Sequence, residues 1–191
     1  MLYRCFVIEP TERVRRALRR YSRADEGCPD NGGHHHNAEV AIEDGPAIWA
    51  EDGRSYRTAP ASWPGDDPRW PAACSCGYAF AEDDHWQLWY ELIYRAPSGA
   101  EYTLRDAPIG AMWRLPWWEE TPAWVGPDGQ CWAVMLPPGG VSDVWIIDGP
   151  SSSGGRWERT GTPPAVTARP SILTPRYHGF LTEGVLSEHL G

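Results

Sequence analysis

Glycine and proline punctuate this chain so densely that long regular elements have little room. Together they number 39 of 191 residues, about a fifth, which is high for a helical bundle and suits short strands joined by many turns. Apolar residues make up 41% and charged residues 23%, enough to build a core and too balanced for global disorder. The length fits one domain, and the expectation is a single domain over 1–191. No apolar run reaches the ~18 residues of a bilayer-crossing helix. The apolar opening Leu2 to Ile8 is short and interrupted by Arg4, so it reads as a strand and not as a signal peptide.

All 17 basic residues are arginine. The absence of lysine removes Schiff-base and P-loop lysine chemistry. Codon usage in a GC-rich genome accounts for the bias. Seven arginines lie in residues 1–23 against Glu9 and Glu12, while the rest of the chain is strongly acidic within a net charge of −9. That balance argues against a nucleic-acid-binding protein, except through the basic N-terminal segment.

That segment has the signature of a helix. Pro10 breaks the first strand, Thr11 can cap, and Glu12 lies in the first turn. Val14, Leu18 and Tyr21 recur at i, i+4 and i+7, and Gly27 with Pro29 closes the element. Arg15, Arg16, Arg19 and Arg20 fill its other faces, either as a contact for an acidic partner or as an ordinary solvated face. The chain thus divides into 1–27 (strand plus basic helix), 28–80 (a loop-rich Cys/His region) and 81–191 (a β-rich core).

Residues 31–37 form a Gly/His loop, 39–49 a strand, and 53–71 an extended connection. After Glu82-Asp-Asp84, the residues Trp86, Trp89, Tyr90 and Ile93 form a helical stripe. The alternation of Trp86, Leu88, Tyr90 and Leu92 suits a strand instead. A short helix passing into a strand is expected there. Hairpins are expected around Pro97-Ser98-Gly99 and Pro137-Pro-Gly-Gly140, a loop over 151–155, and short strands to Leu186.

The five cysteines are odd in number, which favours reduced thiols or a metal over a disulfide framework. Cys74-Ser-Cys76-Gly77 resembles a thiolate knuckle. Cys28 and one of His34, His35 or His36 are the natural further donors, giving a structural zinc site of three thiolates and an imidazole. The alternative makes these thiols buried hydrophobes. Cys5 and Cys131 read as core residues.

Twelve tryptophans are far above ordinary usage. Trp113, Trp117, Trp118 and Trp124 cluster, and Trp117 and Trp118 are candidate interface anchors, with large-ring core packing as the alternative. Hydrolase, P-loop and dinucleotide motifs are absent. His178 could act as a base or ligand beside Glu183, Glu188 or His189, or be a hydrogen-bonded structural residue.

Trp145-Ile-Ile-Asp-Gly149, Pro170-Ser-Ile-Leu173 and Tyr177-His-Gly-Phe-Leu-Thr-Glu-Gly-Val-Leu186 resemble an uncharacterised domain family of bacteriophages and bacteria. Its members carry Pro-Ser-[Ile/Leu]-Leu followed by [Cys/Tyr]-His-x-Phe. Asp106-Ala-Pro-Ile-Gly-Ala-Met-Trp113 and Cys74-x-Cys-Gly-Tyr78 are similar to proteins of actinobacterial phages. The resemblance spans about residues 70–187. Distant bacterial relatives place a cysteine where Tyr177 stands here, which weakens any metal or thiol chemistry carried over to His178. The resemblance implies a phage origin and a β-rich fold, and no activity.

The expectation is therefore an α+β, mainly β antiparallel fold with an N-terminal basic helix and a zinc knuckle. Its function would be that of a non-enzymatic minor virion protein, a capsid or tail accessory, binding other phage structural proteins in the virion or host cytoplasm and not a membrane. The alternatives are a metal-dependent hydrolase or peptidase centred on His178 and a tryptophan-based carbohydrate-binding module.

Overall fold

A computed structural model describes residues 1–22, 27–31, 34–150, 155 and 157–189. The expected loop at 151–155 lies almost wholly outside the described residues, and so do residues 23–26 of the expected basic helix. Among the described residues fifteen strands follow one another: β1 (Leu2–Arg4), β2 (Phe6–Val7), β3 (Glu9–Ser22), β4 (His36–Pro46), β5 (Ile48–Trp49), β6 (Tyr56–Arg57), β7 (His85–Arg95) and β8 (Glu101–Tyr102). Then come β9 (Ala111–Arg114), β10 (Trp132–Met135), β11 (Val144–Ile146), β12 (Glu158–Thr160), β13 (Thr167–Leu173), β14 (His178–Thr182) and β15 (Val185–Glu188). Helical structure among the described residues is confined to short 3-10 turns, and no helix is long and apolar enough to cross a membrane.

The mainly-β expectation holds, and the N-terminal helix does not. Residues 9–22 form β3, antiparallel to β4 from Arg13↔Pro46 to Ser22↔His36, with a register shift between Val14 and Arg16. The buried positions are Val14, Arg16, Leu18 and Ser22, the period of two of a strand. Val14 and Leu18 satisfy helical and strand spacing equally. Arg16 separates the two, and a charged residue does not advertise burial. Its guanidinium is accommodated because Nε donates to the Glu43 carbonyl at 2.8 Å and Nη1 to the Ala59 carbonyl at 3.0 Å. The Trp63 ring lies 5.3 Å from it.

The short helix expected after Asp84 is likewise absent, and β7 starts at His85. Asp84 stabilises a turn instead, accepting from the Ala81 N–H at 2.8 Å. The hairpin around residues 97–99 forms, pairing Tyr94 with Tyr102. So does the strand–turn–strand across 137–140, pairing Ala133 with Ile146.

The chain divides into two compact units. The first unit comprises 1–11, 50–55 and 93–191. It holds an antiparallel sheet ordered β1-β15-β14-β13-β12 and a second sheet ordered β11-β10-β9-β2. In the second sheet β2 runs parallel to β9. Met112, Val134, Ile147, Ile172, Leu181 and Leu186 fill its core. Along β14 the odd positions Gly179 and Leu181 are buried and His178, Phe180 and Thr182 face out. Tyr177 is a core residue whose hydroxyl donates to the Ser187 carbonyl at 2.9 Å.

The second unit comprises 12–49 and 56–92. It contains the β3–β4 ladder, most of β7 and the small β5–β6 pair. It also carries all four residues of the site described next.

Candidate metal centre

Two local turns prepare the site. After Cys28 the chain makes a 3-10 turn over Pro29–Asn31. The Cys28 N–H then donates to the His34 carbonyl at 2.6 Å, closing a loop that returns the chain to Cys28 just before β4 begins at His36. The second turn is the expected knuckle. The Cys74 N–H donates to the Tyr78 carbonyl at 2.8 Å and the Gly77 N–H to the Cys74 carbonyl at 2.9 Å. Gly77 has φ +92°, a left-handed conformation that a side chain resists.

The four donor atoms of Cys28, His36, Cys74 and Cys76 lie within 4.8 Å of one another. Cys28 Sγ is 3.6 Å from Cys74 Sγ, and His36 Nδ1 is 3.1 Å from Cys76 Sγ. Two sulfurs bound tetrahedrally at about 2.3 Å from one ion sit roughly 3.8 Å apart, so the donors are already near coordination spacing. Cys28, His36 and Cys74 are buried and Cys76 is half-buried. Burial alone would raise the Cys74 thiol. The N–H groups of Cys76 and Asn37 and the neighbouring Cys28 and Cys76 thiols outweigh it and bring the pKa down to about 6. A thiolate at neutral pH is the form a metal takes.

The imidazole is oriented by its surroundings. The His36 ring stacks on Tyr78 with centroids 4.1 Å apart. The Tyr78 hydroxyl lies 3.1 Å from Ser22 Oγ and donates to Asp84 at 3.4 Å. Ser22 is the register partner of His36 across the β3–β4 ladder. From Tyr78 the contacts continue to Phe80, then to the Arg20 guanidinium and to Trp86. Sequence reasoning missed Tyr78, Ser22 and Asp84 as supports. Only Tyr78, directly after Cys76-Gly77, carried a local signal.

The open choice among three histidines thus falls on His36. His34 and His35 are exposed, and His34 contributes a backbone carbonyl rather than a ring. Four protein donors complete a tetrahedral shell, so the arrangement suits a bound metal ion that holds structure together. Cys5 and Cys131 lie apart from it. Burial pushes both up to about 12, reinforced at Cys131 by the negative charges of Asp148 and Glu119. Alkylation followed by mass spectrometry is therefore expected to modify Cys28, Cys74 and Cys76 after chelation at pH 8, leaving Cys5 and Cys131 untouched until the chain is denatured.

The other candidates fare differently. The four arginines expected on a helix lie on β3, a strand. Arg15 is exposed. Arg16 is buried, Arg19 lies over the Trp89 ring at 4.9 Å and pairs with Glu39, and Arg20 donates to the Ala81 carbonyl at 2.5 Å. Trp113 is core, while Trp117 and Trp118 are each 39% exposed, Trp118 stacking on Trp124 at 4.8 Å. His178 is exposed on β14 and stacks face to face on His189 at 4.7 Å. Among the described residues it belongs to no cluster of three potential ligands.

Fold and site together define an antiparallel β protein with a Cys3His cluster able to hold a metal ion. The chain matches no protein-family model, no curated protein and no solved structure.

Proposed function

We propose that this chain is a non-enzymatic binding protein of a phage particle, held in shape by one structural zinc ion. The Cys28–His36–Cys74–Cys76 cluster carries the zinc half of the reading. Three thiols and an imidazole suit the borderline-soft Zn²⁺, and a filled four-donor shell leaves no position for substrate or water. A hydrolase centred on His178 would need an open metal position beside that residue. The phage half rests on the motifs over about residues 70–187 and on the exposed Trp117 and Trp118, whose indoles suit a protein contact.

Two measurements test it. Metal analysis of the untagged protein is expected to give one zinc per chain and none for Cys76→Ser. Immunoblotting of gradient-purified particles is expected to find the chain at fixed stoichiometry with other particle proteins. A chain absent from particles and isolated from infected cells only as a free monomer would sink the virion assignment. A metal-free native protein would sink the zinc assignment.

A further inference from the structure

Granted the zinc reading proposed above, the thiols that hold the ion are also placed to hold the fold without it. Cys28 Sγ and Cys74 Sγ are 3.6 Å apart, and both residues are buried. A disulfide of about 2.0 Å then needs only a small rotation of each side chain. We propose that Cys28 and Cys74 form a reversible disulfide when the protein meets hydrogen peroxide, releasing the ion and replacing it as the cross-link.

Three thiols allow three pairings, and the fold favours one. Cys74 and Cys76 are separated by one residue inside a single turn. A bond between them closes a small ring within the knuckle shaped by the Cys74–Tyr78 and Gly77–Cys74 hydrogen bonds. Cys76 Sγ has its own 3.1 Å contact with His36 Nδ1. Cys28 and Cys74 instead come from segments 46 positions apart. Each is pinned by its own backbone bond, the Cys28 N–H to the His34 carbonyl at 2.6 Å and the Cys74 N–H to the Tyr78 carbonyl at 2.8 Å. A bond between them closes a long loop, the kind whose closure restricts the unfolded chain most. It joins the same two segments that the metal joins. Cys5 and Cys131 are buried in the first unit and supply no competing partner.

Cys76 is half-buried and the other three donors are buried, so a small oxidant arrives at Cys76. Its thiolate attacks one peroxide oxygen and the O–O bond breaks. Cys76 becomes a sulfenic acid, and the hydroxide released takes up a proton. The Cys74 thiolate, which the Cys76 thiol contacts, attacks the Cys76 sulfur, and the S–O bond breaks with loss of a second hydroxide, also protonated. The Cys28 thiolate then attacks the Cys74 sulfur, forms the Cys28–Cys74 bond and expels Cys76 as a thiolate. Two thiolates have lost two electrons, and the peroxide with two protons has become two waters. Only His36 and Cys76 are left as donors, short of the four of a structural zinc site, and the ion leaves. Cys76 stays beside the new bond as the thiol that reopens it when an external dithiol supplies the electrons.

The test treats the untagged, zinc-loaded chain with excess hydrogen peroxide at neutral pH. Loss of the bound zinc is expected, with a Cys28–Cys74 disulfide in non-reducing peptide maps by mass spectrometry. Dimedone added with the peroxide is expected to trap a sulfenic acid on Cys76 alone. Near-UV circular dichroism should persist, whereas chelation under reducing conditions abolishes it. Dithiothreitol followed by zinc should restore the metal content. Zinc retained after peroxide overturns the proposal. So does a final disulfide between any other pair, oxidation to sulfinic acid with no disulfide, trapping at Cys28 or Cys74, or a collapse of the near-UV signal. A chain that carries no metal when isolated under reducing conditions sinks the zinc assignment instead, and the peptide map after peroxide still decides whether Cys28 and Cys74 join.

Discussion

Stripping the metal with a strong chelator at neutral pH is expected to unfold the second unit, and restoring zinc to refold it. The site ties residue 28 to residue 76, and the strands between them are short or loop-bounded. Structural zinc sites in small domains contribute apparent binding energies of about 10–16 kcal/mol. Whole domains are stable by only about 5–15 kcal/mol. Loss of the ion therefore removes an amount comparable to the entire stability of the unit. The first signal should come from the aromatic residues, because His36 stacks on Tyr78 and the contacts run on through Phe80 and Arg20 to Trp86. Near-UV circular dichroism should collapse on chelation. A thermal midpoint unchanged by chelator would rule out a structural ion. Acid works in the same direction. The fold holds the Cys74 thiol at about 6, below its ordinary 9.0, so its contribution is present above that ordinary value and is lost as pH falls through 6.

In the first unit, Arg159→Ala is expected to cost about 3–5 kcal/mol, the range for breaking a buried ion pair by removing one partner. Arg159 is nearly inaccessible, as is Asp148, and its Nε donates to Asp148 at 2.6 Å. Its Nη1 donates to Asp128 at 3.0 Å. Burial alone would raise the Asp128 carboxyl, but the Arg159 bond and the Gln130 N–H hold it below the usual range. The alanine variant would leave the Asp148 carboxyl, which burial already pushes above its ordinary range, buried and held among the described residues by the Trp132 N–H at 3.3 Å. Gly126 belongs to the same cluster, since a Cβ there would overlap both Arg159 and Asp148. The combination Arg159→Met with Asp148→Asn should be markedly milder than Arg159→Ala alone, because it removes the stranded charge. Urea denaturation of the three proteins decides. Equal losses would mean that packing, not charge, holds this corner.

Much of the metal site was legible, because cysteine spacing survives without a structure. Cys74 and Cys76 form the knuckle that Gly77 permits, and Cys28 was the nearest upstream thiol. The choice of His36 was not legible, since it depends on strand phase. His36 faces inward as the first residue of β4, opposite Ser22, whereas His34 and His35 precede the ladder. The N-terminal basic helix, expected from Thr11 to its closure at Gly27 and Pro29, failed for a related reason. Val14 and Leu18 fitted both periods, Tyr21 fitted only the helical one, and the buried position that marks the strand was an arginine packed against carbonyl groups and an indole. Hairpins punctuated by Pro and Gly were read correctly, because turn chemistry is local. The meeting of Trp63, Trp70 and Trp86 was not legible, since two loop positions and one strand position converge only in the fold.

The chain first leaves the first unit within β3 and finally rejoins it within β7, residues 50–55 between them also belonging to the first unit, and at these outer boundaries the Thr11 hydroxyl donates to the Ile93 carbonyl at 2.8 Å. A segment whose two ends meet behaves as a cassette. Residues 12–92 could be replaced by a few linker residues at little loop-closure cost, at the expense of the first unit's residues 50–55, and another small module with adjacent termini could be spliced into the same position. Variation in what this chain recognises can then arise by exchanging the cassette while the flanking sheets keep their own sequence.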